Sequence, residues 1–185
     1  MRFATAHITA NQPTLKGSPY CGVRPTKKSK SNNIIWYIDM KNNKVVYSKY
    51  FNDWEIKPDF NKEFICIFDG WLGEENLHKL DDVTEEQWGK FNQLIQLISY
   101  KFELYTVNCE DESINKIVNI NEALSTYDES MEKDSSQFTR LIIPELDCIL
   151  TEEWDYTYIL WHRGNEAIDA LKPFITKTGL YHFQN

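Results

Sequence analysis

The chain is 185 residues long, 42% hydrophobic and 14% aromatic, and its 20 Lys/Arg against 28 Asp/Glu leave a formal charge of −8. That size and composition suit one packed domain, or two small halves, and exclude a disordered chain. The longest apolar runs, 64–68 and 156–161, are strand-sized and fall far short of the roughly 20 residues of a membrane span.

Charge is sorted along the chain. Residues 1–50 hold nine Lys/Arg against one acid, Asp39, and residues 51–185 hold eleven against twenty-seven acids, so the two parts carry +8 and −16. A surface as acidic as the second part repels nucleic acid and anionic membranes and attracts basic proteins or metal ions. Residues 1–7 lack the apolar core of a secretory signal, so a cytoplasmic location is expected. The four cysteines, Cys21, Cys66, Cys109 and Cys148, lie about 40 residues apart with no CxxC spacing. Free thiols, mostly buried, are expected in a reducing compartment.

In chain order, residues 2–9 read as an edge strand and 11–33 as a loop broken by Pro13, Gly17, Pro19, Gly22 and Pro25. Segments 34–40 and 45–51 flank Lys41-Asn42-Asn43-Lys44 and predict a β-hairpin, because Asn tolerates the left-handed turn conformation. A further strand is expected at 64–72. Residues 84–102 predict a helix: Thr84-Glu85-Glu86-Gln87 is a capping box, and Trp88, Phe91, Ile95, Ile98 and Phe102 recur at alternating spacings of three and four. A strand follows at 103–107, then a short helix within 114–124 and an exposed loop at 125–137. Strands are predicted at 138–143 (stopped by Pro144), 147–151 and 156–162. A closing helix spans 165–178, with Gly179 in the left-handed position after it and Leu180 as its apolar follower; Pro173 predicts a kink within it.

The expected fold is therefore α+β: antiparallel sheet with two main helices, in a single domain over 1–185. The element order reads as a pseudo-duplicated ββββα arrangement with halves 1–102 and 103–185. That order is similar to the Whirly nucleic-acid-binding fold, although the acidic surface opposes the Whirly function.

No G-x-S-x-G, P-loop or G-x-G-x-x-G motif occurs, and the four His form no HxH or HExxH pair. Asp81-Asp82, Glu74-Glu75 and Glu152-Glu153 are dense but do not follow the calcium-loop pattern. Neither a metal nor a cofactor is expected. Two weaker chemistries rest on isolated residues: Cys21 beside basic residues, with His7, His162 or His182 as base, and an acid–base nuclease using His162 and His182. The basic segment 16–30, followed by Trp36 and Tyr37, offers an alternative function in binding single-stranded nucleic acid.

The feature these readings leave over is a repeated association of tryptophan with acids. It occurs at Asp53-Trp54-Glu55, at Asp69-Gly70-Trp71-Leu72-Gly73-Glu74-Glu75, and at Glu152-Glu153-Trp154-Asp155-Tyr156. Aromatic anchors ringed by carboxylates suit recognition of a cationic protein. The candidate contact residues are Asp53, Asp69, Trp71, Glu74, Glu75, Asp81, Asp82, Glu152, Glu153, Trp154 and Asp155. In charge, aromatic content and organisation, down to the closing Thr178-Gly179-Leu180-Tyr181, the chain resembles bacterial immunity proteins of contact-dependent growth inhibition systems. The resemblance implies a non-enzymatic cytosolic inhibitor. Its partner would be a basic toxin domain, frequently a nuclease in such systems, whose basic cleft the acids fill in place of phosphates.

Overall fold

The computed structural model describes residues 45–184. The strand expected at 2–9, the loop at 11–33, the first hairpin arm at 34–40, Cys21, His7 and the basic segment 16–30 lie outside them.

The second arm of that hairpin is not a strand. Residues 45–51 contain one helical turn, α1 (Tyr47–Tyr50), followed by two-residue strands β1 (Phe51–Asn52) and β2 (Glu55–Ile56) that pair with each other. The reason is packing. Residues three apart share a face in a helical turn and oppose each other in a strand, and here both Tyr47 and Tyr50 are buried.

The main sheet is antiparallel throughout, with strand order β5-β4-β6-β7-β8-β3-β9. Its members are β3 (Asn61–Cys66), β4 (Tyr105–Asn108), β5 (Ser113–Lys116), β6 (Arg140–Ile143), β7 (Cys148–Glu153), β8 (Thr157–His162) and β9 (Tyr181–Phe183). The fold is α+β, as expected, with two long helices, α2 (Glu85–Ser99) and α4 (Glu166–Thr178). Of the first half's described strands, β1 and β2 form their own two-stranded sheet. From the first half only β3 enters the main sheet, and it inserts between β8 and β9 of the second.

Helix α2 starts at Thr84, whose hydroxyl accepts from the Gln87 amide at 3.2 Å while the Thr84 amide donates to Gln87 Oε1 at 2.9 Å. Its stripe Trp88, Phe91, Leu94, Ile95 and Ile98 is buried. Helix α4 ends as predicted: Gly179 has φ +70, its amide donates to Thr176 O at 3.1 Å, and the Leu180 amide donates to Ile175 O at 3.2 Å. These are the two bonds of a Schellman closure, with buried Ile175 and Leu180 as its apolar pair. Helix α4 continues through Pro173.

The two long helices cover one sheet face, burying Ile65, Leu141, Ile143, Leu150, Tyr158 and Leu160 with α2 and α4 in one cluster. The layer of α1, β1 and β2 covers Ile142 and Ile149 on the other face with Tyr47, Tyr50, Phe51 and Phe60. Arg163 fastens that layer: its guanidinium donates to Asp59 at 2.8 Å, to Asp147 at 3.1 Å and to the Lys49 carbonyl at 2.8 Å, and it lies 3.9 Å from the centre of the Phe60 ring.

Three further expectations differ. The strand at 64–72 is shifted to β3, because the chain leaves the sheet after Cys66 and turns at Gly70, φ +95. The expected helix within 114–124 is strand β5 followed by a 3-10 turn, Ile120–Ala123; Asn108 and Asp111 side chains bond the Glu110 and Ser113 amides and close a hairpin instead. The expected loop at 125–137 contains a third helix, α3 (Tyr127–Glu132), started by a Thr126/Glu129 capping box, and a 3-10 turn, Ser135–Gln137, started by Asp134. Cys66 and Cys148 are buried free thiols and Cys109 is a half-buried one.

Candidate partner-binding surface

Register decides which acid–aromatic segments meet. The β3–β8 ladder ends with Cys66 opposite Thr157, and the β3–β9 ladder ends with Cys66 opposite Tyr181. The turn at 154–156, the loop from 67 to 73 and the start of β9 therefore emerge at one end of the sheet. Three aromatic residues stand out there: Trp71 is 55% exposed, Trp154 53% and Tyr181 46%. Trp71 rests edge-on against Phe64 and Phe183, with ring centres 4.6 and 5.1 Å away. Trp154 rests edge-on against Phe138 at 4.7 Å. Each ring is seated on one side and open on the other, the arrangement of an anchor.

Carboxylates surround them. Asp69 and Asp155 are exposed and Glu153 is half-buried. Asp81 joins the corner through electrostatics: the phenol of Tyr156 is pushed up to about 12, first by burial, then by a hydrogen bond with Tyr127, and also by the negative charges of Asp81 and Asp155. The turn that presents Trp154 is strained. Asp155 and Tyr156 have φ of +62 and +55; Asp tolerates that region, but a bulky Tyr adopts it at a cost of order 1–3 kcal/mol. The hydroxyl of Tyr156 also reaches Met131 Sδ at 3.5 Å. Tyr127 in turn lines a surface groove of about 530 Å³ with Glu85, Trp88, Asn92 and Glu129, so the acidic corner continues toward α2 and α3.

Not every expected residue belongs here. Glu152 is buried: its carboxylate accepts from Ser130 Oγ at 2.9 Å, Lys133 Nζ at 2.9 Å and the Thr139 amide at 2.9 Å. Those bonds and the Lys133 charge outweigh burial, which alone would raise its pKa, and hold it below the usual carboxylate range. Period two along β7 explains the split between Glu152, turned to the helix-covered face, and Glu153 beside it. Asp53 and Trp54 sit in the β1–β2 turn, a separate element, with Trp54 37% exposed. Glu74 and Glu75 open an exposed 3-10 helix, Glu74–Leu80, and Asp82 is exposed beyond it.

Sequence reasoning missed Tyr181 as a member of the surface, because only the strand order brings it there, and it quoted Tyr156 in the third acid–aromatic segment without counting it among the contact residues. No protein-family model, curated protein or solved structure matches the chain. Among the described residues no three His, Cys, Asp or Glu side chains are arranged to hold a metal ion, and no helix is long and apolar enough to cross a membrane.

Proposed function

We propose that this chain is a binding protein of the immunity type, which neutralises a basic toxin domain by covering its substrate-binding or active site. The observation that supports the reading most is the convergence of Trp71, Trp154 and Tyr181 with Asp69, Asp155 and Asp81 at one sheet end. The half-seated rings supply apolar anchors of low conformational entropy. The carboxylates steer a cationic partner and occupy the positions that the phosphates of its nucleic-acid substrate would take. A basic nuclease cleft presents the complementary chemistry.

The test asks whether the neighbouring gene encodes a large secreted protein with a C-terminal toxin domain, and uses that domain. Purified full-length chain is titrated with that domain, and toxin activity is followed in parallel. Trp154→Ala is expected to weaken binding by about thirtyfold or more, the weight of a hot-spot residue, with the fold retained. Wild-type affinity in Trp154→Ala and in Trp71→Ala alike would remove this surface from the interface. Failure of the wild-type chain to bind or inhibit the domain would sink the immunity reading itself.

A further inference from the structure

Three adjacent strands carry ionisable side chains to one place beneath helix α4. Glu63 on β3 lies opposite Leu160 of β8, so His162 is its diagonal neighbour on the same face. Ile65 lies opposite His182 of β9, which puts His182 diagonal to Glu63 on the other side. The side chains of Glu63 and His162 are each 2% exposed and that of His182 is 17% exposed. Glu63 Oε2 bonds His182 Nε2, and Oε1 accepts from Gln184 Nε2 at 2.8 Å. Burial alone would raise the carboxyl pKa of Glu63. The bonds from Gln184 and His182, and the charges of both imidazoles, lower it further than burial raises it, so Glu63 stays an acceptor.

His162 is then left with a nitrogen that has nowhere to go. Its Nδ1 lies 2.9 Å from the Gly164 carbonyl. A carbonyl only accepts, so Nδ1 carries the hydrogen, and a neutral ring has a bare lone pair on Nε2. That Nε2 is buried, has no hydrogen-bond partner, and lies 3.3 Å from Glu63 Oε1. Two acceptors facing each other in an apolar interior repel. The surroundings offer no other remedy. Cys148, opposite His162 on β7, keeps its thiol hydrogen because burial pushes its pKa far up, yet it makes no hydrogen bond to Nε2. The buried residues of α4 are apolar Ala167, Ile168, Leu171 and Ile175 and Thr178, whose hydroxyl donates to the Ile175 carbonyl, and Arg163 is committed to Asp59 and Asp147.

We propose that Glu63, His162 and His182 form a buried proton-binding site, and that the proton between His162 and Glu63 locks the C-terminal strand onto the sheet. With the proton in place, His162 Nε2 donates to Glu63, and one chain of bonds joins Gly164 before α4, β8, β3 and β9. Without it, the Glu63 carboxylate is repelled from His162 while still holding His182 and Gln184. Strand β9 is only three residues long and lies at the sheet edge, so the displacement falls on it. Phe183 of β9 stacks on Phe64 and meets Trp71 edge-on. Proton occupancy thereby adjusts the seat of Trp71, although the lock stands whether or not Trp71 meets a partner.

The experiment is a pH titration of the full-length protein between pH 5 and 8, where histidine changes charge, read by nitrogen-15 NMR of the imidazole rings and by backbone amide exchange. Exposed His78 is the internal reference. At the acid end both ring nitrogens of His162 should report a proton. Loss of the Nε2 proton should share its midpoint with shifts in the Tyr181–Phe183 amides and with a drop in their protection of about tenfold or more, while His78 titrates without moving them. Glu63→Gln should uncouple β9 from the histidines. If that variant does not fold, the wild-type titration decides alone. A bare Nε2 on His162 at every pH overturns the proposal, and so do β9 amides that ignore its titration. Stoichiometric, chelator-reversible zinc binding at both imidazoles would also overturn it, by putting a metal where the proton is proposed.

Discussion

Cys66 and Thr157 face each other in the last rung of the β3–β8 ladder, 91 residues apart in the chain, with Thr157 Oγ1 3.5 Å from Cys66 Sγ. That rung aligns the ends of two strands whose continuations carry Trp71 and Trp154. Moving β3 by one residue relative to β8 would turn Ile65 outward and Phe64 toward the helices, because a one-residue slip reverses every side chain. The burial of Ile65 and Leu160 under α2 and α4 therefore sets the register, and the register sets the surface.

The two neighbouring acids of β7 and its turn should behave oppositely. Glu152→Lys puts a second cation beside Lys133 in a buried site and should cost about 3–5 kcal/mol of stability, measured by denaturant unfolding. Asp155→Asn keeps a residue that tolerates φ +62 and should change stability by no more than about 0.5 kcal/mol. Equal, small losses in both variants would mean that Glu152 is not buried as described.

At the end of α4, Gly179 holds φ +70 with Lys90 Nζ 3.5 Å from the position a Cβ would occupy. The obstacle to a side chain there is the backbone conformation, since Lys90 is flexible. Gly179→Ala should destabilise by about 1–2 kcal/mol, and Gly179→Asn by less, because Asn visits the left-handed region more readily. Thermal unfolding of the three proteins orders them. Identical midpoints would contradict the Schellman closure.

Helices α2 and α4 were legible because their signals are local: a capping box, a 3.6-residue stripe and a glycine after the last turn. Helix α3 carried the same kind of signal, Thr126 three residues before Glu129, but its short apolar content hid it among acids. Residues 45–51 read as a strand because alternation ignores which side tyrosines must face. The acid–aromatic segments were visible as letters, yet their convergence depends on β3 entering between β8 and β9, a long-range pairing that no local pattern encodes. For the same reason Glu152 and Glu153 were indistinguishable in sequence, and Glu63 lay just before the strand expected at 64–72.

The core prediction rests on α2. Leu94 and Ile98 are 0% and 1% exposed, so Leu94→Ala and Ile98→Ala should each cost about 2–5 kcal/mol. Denaturant titration gives the values, and losses under about 1 kcal/mol in both would place the helix outside the main core.

Acid should unfold the protein through two carboxylates. Glu63 and Glu152 are both held below the ordinary glutamate value of 4.5 despite burial, Glu63 by Gln184 and His182, Glu152 by the Thr139 amide and Lys133. A depressed folded value means that the stabilisation is fully present above 4.5 and disappears as pH falls through the lower folded values. The denaturant midpoint should therefore be nearly level between about pH 5 and 7 for these two groups and drop below 4.5. Glu152→Gln should be less stable at neutral pH and lose less on acidification. A wild-type midpoint unchanged well below pH 4 would show that neither carboxylate is depressed.

Charge and aromatic contributions to partner binding should separate kinetically. Exposed carboxylates act over roughly 8 Å at physiological salt and mainly raise the association rate, whereas a seated ring is lost from the contact only after docking and acts on dissociation. Asp69→Asn with Asp155→Asn should slow association with the basic toxin domain proposed as partner and flatten its salt dependence. Glu166→Gln with Asp169→Asn removes the same charge at the start of α4, which follows β8 at the other end of the sheet. It should leave association nearly unchanged, at a helix-dipole cost of about 0.3–1 kcal/mol per residue. Trp154→Ala should instead speed dissociation. Stopped-flow measurement across a salt series distinguishes these outcomes. If the two double variants slow association equally, the acids act only through net charge, and recognition by the acidic sheet end is wrong even where Trp154 still contributes.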